Sequence, residues 1–112
     1  MELTTINYEV RDGVAHVRFA RPEGANAVNP GFSRDLREVM LAIEFDPAVK
    51  AVSVTAEGRV FCAGGDLKEF HAAGEGLPQL AADMLVDFHG AIYKMNRIAK
   101  PFVAGVNGAA GG

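Results

Sequence analysis

The chain has 112 residues, 49% of them hydrophobic and 22% charged, with a formal net charge of -3 and one cysteine, Cys62. These values describe one small globular domain; they exclude a disordered tail and an internal disulfide framework, and make no electrostatic case for nucleic acid or an anionic membrane. No apolar run approaches the ~18 residues of a membrane span, and Met1–Thr5 has neither a basic nor an apolar leader segment, so a soluble, cytoplasmic protein without a signal peptide is expected.

Ile6 to Val10 alternates apolar and polar residues, and Val14 to Phe19 mixes apolar residues with His16 and Arg18. Arg11-Asp12-Gly13 between them carries an Asp-Gly hairpin signal, so two antiparallel strands are predicted, with His16 as a strand-face residue. Arg21-Pro22-Glu23-Gly24-Ala25-Asn26-Ala27-Val28 reads as a loop of small residues. Asn29-Pro30 then starts a helix, because asparagine accepts from free N–H groups and proline suits the first turn. Phe32, Leu36, Val39 and Ile43 form its apolar stripe, with Arg34, Asp35, Arg37 and Glu38 between them, and Asp46-Pro47 ends it.

Ala51–Ala56 is β-rich and reads as a buried strand. Glu57-Gly58-Arg59 turns the chain into Val60-Phe61-Cys62-Ala63-Gly64-Gly65-Asp66-Leu67-Lys68-Glu69-Phe70, an apolar run, a glycine pair and a helix-compatible charged segment. His71–Pro78 reads as a flexible connector. A second long helix is predicted from Gln79 to Ala99 with a core-facing stripe of Leu80, Met84, Leu85, Phe88, Ile92, Met95 and Ile98. Lys100-Pro101 closes it, Phe102–Val106 is a further strand, and Asn107-Gly108 a turn. Strands separated by crossover helices pair in parallel, and sites gather beyond their C-terminal ends, where both glycine turns fall.

Glycine permits close backbone approach, so Ala63-Gly64-Gly65-Asp66 can expose N–H donors. Two donors aimed at one oxygen make an oxyanion hole; the competing reading is a tight turn packing a strand on a helix. Asp66, at a helix start, reads as a cap before an acid or base. Cys62 reads as a buried thiol, and His71 and His89 as solvated or structural. No His, Cys and acidic cluster has metal-ligand spacing, and neither G-x-G-x-x-G nor a Walker sequence is present.

The strings RPEGANAVNP, DPAVKAVSVTAEGRVFCAGGDLKEF and KPFVAGVNGAAGG, in this order, resemble the N-terminal part of the enoyl-CoA hydratase/isomerase (crotonase) superfamily. The resemblance covers essentially the whole chain. It implies an α/β, crotonase-like fold of repeated ββα units, with residues 1–112 as the N-terminal part of one domain, incomplete at the C-terminus. A domain seldom ends on its most site-like loop, so more chain is expected after Gly112.

The resemblance further implies chemistry on an acyl-CoA thioester, with coenzyme A as part of the substrate, no covalently bound cofactor and no metal. Gly65 would give the first oxyanion-hole N–H. Ala63, Gly64, Asp66 and Leu67 would line the coenzyme A strip, facing Gly24, Ala25 and Ala27 across it, with Lys68 either near the phosphates or solvated. Ala109, Ala110, Gly111 and Gly112 would form the near wall of the acyl pocket. The second donor would fall one residue past Gly112, and the glutamates that handle water and protons in hydratases later still. Hydration of a 2-enoyl-CoA is the default expectation; isomerisation, dehalogenation, hydrolysis and ring-forming condensation are the alternatives, in a parent expected to be a homotrimer or hexamer. Were 112 residues the whole product, the expectation is instead a non-catalytic coenzyme A-binding or interaction remnant with exposed apolar surface.

Overall fold

The computed structural model describes residues 1–112. β1 (Ile6–Arg11) and β2 (Val14–Phe19) form the antiparallel hairpin, paired from Ile6 opposite Phe19 to Arg11 opposite Val14. Asp12 and Gly13 both have positive φ, 50° and 80°, the tight turn whose twist matches the flanking strands. β3 (Ala51–Ala56) joins β2 in parallel, and β4 (Phe102–Ala104) joins β3 in parallel. The sheet therefore runs β1-β2-β3-β4 in chain order.

α1 (Pro30–Phe45) is the crossover between β2 and β3. Its N-cap is Asn29, whose Oδ1 accepts from the Phe32 N–H at 2.8 Å. At the other end Lys100 Nζ donates to the Ile43 and Asp46 carbonyls, at 2.5 and 2.9 Å, meeting acceptors that a helix C-terminus leaves unpaired. The predicted stripe Phe32, Leu36, Val39 and Ile43 is fully buried against Ala15, Val17, Val52 and Val54 of the sheet. Asp35, which falls between the stripe positions in sequence, is also buried. Its Oδ2 accepts from the Thr4 and Thr5 N–H groups and the Thr5 hydroxyl, at 3.0, 2.8 and 2.7 Å, so the charge is compensated by three donors and anchors the N-terminal segment.

The stretch read as a flexible connector is ordered structure. α2 (Leu67–Ala73) includes His71, and a single 3-10 turn, Gly74–Gly76, leads directly into α3 (Leu77–Arg97). α3 packs chiefly on α1. Met84 and Ala91 are its fully buried residues, whereas Leu85 and Ile92, expected in the core stripe, are 37% and 36% exposed. Ile92 borders an apolar hollow of about 400 Å³ between α3, β3 and β4, together with Phe88, Met95 and Phe102, and Leu85 borders a separate cavity of about 440 Å³. Val103 and Val106 also stand exposed. No helix is long and apolar enough to cross a membrane.

Candidate functional site

Because β2, β3 and β4 are parallel, their C-terminal ends release three loops on one side of the sheet. These loops pair with one another as short parallel bridges, Val28 with Gly65 and Cys62 with Ala110. Val28 N–H donates to the Gly64 carbonyl at 2.7 Å, and Asp66 N–H to the Val28 carbonyl at 2.9 Å. On the other flank Phe61 and Cys62 donate to the Ala109 carbonyl, and Gly111 donates to the Cys62 carbonyl at 2.8 Å. Asn26, fully buried with φ 52°, holds the assembly: its Oδ1 accepts from Arg21 N–H, and its Nδ2 donates to the Glu57 and Val60 carbonyls, each bond at 2.9 Å.

Along the Cys62–Asp66 strip the Cys62 N–H is taken by the Ala109 carbonyl, and the Gly64 N–H, in a buried residue, has no protein acceptor. The Ala63 and Asp66 N–H groups are spent on Ala25 and Val28, while Gly65 N–H donates to no protein acceptor. Gly65 is exposed and borders a cavity of about 440 Å³. Gly64, at φ 94°, lies against Gly112, where a Cβ would come 3.1 Å from the Gly112 Cα. A Cβ on Gly65 would stand 2.7 Å from Phe70 Cε2. The cavity is lined by backbone of Gly64, Gly65, Gly111 and Gly112 and by Phe70, Met84 and Phe88, with the Phe70 ring packed directly on Gly65. A free N–H at the edge of an apolar cavity is a donor for an oxygen that becomes negative, since desolvation strengthens that hydrogen bond.

A second cleft, of about 530 Å³, lies beyond Asp66 and is lined by Arg21, Glu23, Gly24, Ala25, Lys68 and Glu69. Arg21 Nη2 donates to Asp66 Oδ2 at 2.7 Å and its Nη1 to the Ala27 carbonyl at 3.1 Å. Asp66 also caps α2, accepting from the Glu69 N–H at 3.1 Å. Burial pushes the Asp66 carboxyl up, but the Arg21 hydrogen bond and charge and the Glu69 N–H outweigh it and hold the group below the usual carboxylate range. With Arg21 matched to Asp66, the cleft has Lys68 against Glu23 and Glu69, and Glu69 accepts from Asn29 Nδ2 at 2.9 Å. Charge alone does not make it an anion site. No group of three His, Cys, Asp or Glu side chains is placed to hold a metal ion.

The structure gathers Gly24, Ala25 and Asp66 at the polar cleft and Gly64, Gly65, Gly111 and Gly112 at the apolar cavity. Ala63, Ala109 and Ala110 serve the pairing between loops, through the Ala63 N–H, the Ala109 carbonyl and the Ala110 bridge to Cys62. Ala27 is buried, with its carbonyl taken by Arg21, and Leu67 is 78% exposed outside both cavities. Sequence reading missed Arg21 and Asn26 as the groups that hold the loops, and Phe70 and His89 as cavity lining. A buried Asn in a loop leaves no sequence signal, but Phe70, one turn after the Asp66 cap, could have been assigned to the inner face of α2.

The family model for enoyl-CoA hydratase/isomerase matches residues 9–112, and the chain belongs to this family. It is 38% identical over 109 residues to 4-chlorobenzoyl coenzyme A dehalogenase-2 of an Arthrobacter species, covering 96% of this chain and 39% of that protein. It is 34% identical over 106 residues to hydroxycinnamoyl-CoA hydratase-lyase of Pseudomonas fluorescens, covering 93% and 38%. A solved enoyl-CoA hydratase from Polaromonas superposes with a TM-score of 0.84 at 31% identity, over 94% of this chain and 41% of that one. The fold is crotonase-like, and the chain spans about two-fifths of the length of these proteins.

Proposed function

We propose that the protein acts on an acyl-CoA thioester, with Gly65 N–H donating to the thioester oxygen as it acquires enolate charge. The observation that carries this reading is the unspent Gly65 N–H at the edge of the apolar cavity, with the polar cleft continuing past Asp66. The acyl group would occupy the cavity and coenzyme A the strip from Gly64 to Gly24 and Ala25. Lys68 is the one cation of the cleft without a carboxylate partner, which supports a place for it near the phosphates. The relatives' names, a dehalogenase and a hydratase-lyase, have the coenzyme A thioester in common and differ in the reaction.

Hydration of a 2-enoyl-CoA remains the default reaction: water adds across C2=C3, hydroxyl to C3 and hydrogen to C2. In that step Gly65 stabilises the enolate; Asp66 is excluded as base by its bond to Arg21. The second donor and the proton-handling groups are assigned to positions past Gly112, in a trimeric or hexameric protein. The single cysteine supports a reducing, cytoplasmic setting. Turnover of crotonyl-CoA by the full protein, followed by loss of enoyl thioester absorbance, tests the reaction. A protein that binds coenzyme A thioesters but leaves crotonyl-CoA unchanged rejects hydration; one that does not bind them rejects the whole reading.

A further inference from the structure

We infer that α2 and the Gly74–Gly76 turn form a lid over the cavity beside Gly65, hinged at the two glycines and latched by the Phe70 ring. That the lid admits a coenzyme A thioester rests on the reading above; the lid itself rests on how this segment is packed.

From Leu67 to Asp83 no residue is buried, whereas Asp66 before this segment and Met84 after it both are. A helix of seven residues is unstable by itself in water, so α2 depends on contacts with its surroundings, and these are few. Its side-chain tethers lie in the first turn: Asp66 accepts from the Glu69 N–H at 3.1 Å, and Asn29 Nδ2 donates to Glu69 at 2.9 Å. Beyond that turn the hold is Phe70, half-buried, whose Cε2 and Cζ lie 2.7 and 3.1 Å from where a Gly65 Cβ would stand. A segment with so little buried area opens at a free energy well below that of global unfolding.

The two glycines supply the joint. Gly74 has φ 55° and ψ -124°, a conformation left to glycine. Gly76 has φ -80° and ψ -2°, which other residues adopt, and a Cβ there would meet nothing within 4 Å. Glycine at position 76 is thus not needed by this arrangement of α2 and α3; it fits a hinge, which absorbs changes in φ and ψ. Phe70 gives the motion its purpose. Packed on Gly65 and lining the same cavity, the ring narrows the approach to the free N–H, so a ligand enters as α2 swings outward. Return of the ring excludes water and strengthens the hydrogen bond from that N–H.

Hydrogen exchange of the full protein, read by mass spectrometry, tests the lid. In the free protein residues 67–76 are expected to exchange at least about 100-fold faster than the interior of α1. Phe70→Ala is expected to raise that exchange about tenfold relative to α1, the effect of losing one half-buried ring. Gly76→Ala is expected to slow it about twofold to fivefold, because opening then gains less backbone freedom. Butyryl-CoA at about ten times its Kd is expected to slow it about tenfold, since opening is then linked to release. Protection of residues 67–76 equal to that of α1, or exchange unmoved by both variants, overturns the lid. Butyryl-CoA that binds by calorimetry yet leaves this exchange unchanged overturns closure over the site and keeps the thioester reading. Failure of coenzyme A and butyryl-CoA to bind overturns the thioester reading, and the two variants in the free protein still decide the lid.

Discussion

Arg21 and Asp66, 45 positions apart in the chain, meet at 2.7 Å, with only 21% and 10% of their side chains exposed. The pair ties the loop after β2 to the N-cap of α2. The Gly64-Gly65 turn between them is therefore held from both sides, by this ion pair and by the Val28 ladder. A carboxylate beside the proposed acyl site is thereby given to scaffolding.

Asp66→Asn should destabilise the protein by about 3 kcal/mol, because removing one partner leaves the Arg21 charge partly buried and uncompensated. The pH dependence has a definite sign. The folded carboxyl lies below its ordinary value, so its contribution is present above the ordinary carboxylate range and is lost as pH falls through the folded value. Urea midpoints measured from pH 3 to pH 7 should show the wild type and Asp66→Asn converging at the acid end. Parallel curves over that range would contradict the assignment.

Gly65→Pro should lower turnover by about 10²–10³-fold, the usual loss for one oxyanion donor. Gly65→Ala keeps the N–H yet drives a methyl into the Phe70 ring, so the informative comparison is Pro against Ala in a Phe70→Leu background. If the two variants turn over at the same rate, the N–H is not the donor.

Asn26→Asp preserves shape and the acceptor for Arg21 N–H, but replaces the amide donor by a carboxylate facing the Glu57 and Val60 carbonyls. Two buried bonds are lost and a charge is buried, so a loss of about 2–4 kcal/mol is expected. Thermal unfolding would detect it as a drop in Tm; an unchanged Tm would mean that the loops are held elsewhere.

Two glycines should respond in opposite directions to alanine. A Cβ at Gly108 would collide with the Arg59 carbonyl oxygen, which is backbone and cannot rotate away. Gly108→Ala should disrupt the bridge between Cys62 and Ala110 and destabilise markedly. Gly90 lies in the middle of α3, and a methyl added there would meet nothing within 4 Å. Gly90→Ala should stabilise by about 0.5–1 kcal/mol. Denaturant melts of both variants read the contrast.

Local chemistry made much of this protein legible from sequence alone. The Asp12-Gly13 hairpin, the Asn29-Pro30 helix start, the Asp66 cap and the β3 strand depend on backbone preferences within a few residues. The order of parallel strands followed from the crossover helices, and the glycine turns marked the end of the sheet where the loops gather. Tertiary structure decided the rest. Whether α3 residues are buried depends on what packs across from them, so Leu85 and Ile92 face cavities although their spacing is that of a core stripe. Asp35 is buried because Thr4 and Thr5, thirty residues away, supply the donors. Spacing along the chain showed that Gly65 could offer an N–H; only the ladder to Val28, which uses the neighbouring Asp66 N–H, left that donor free at the mouth of an apolar cavity.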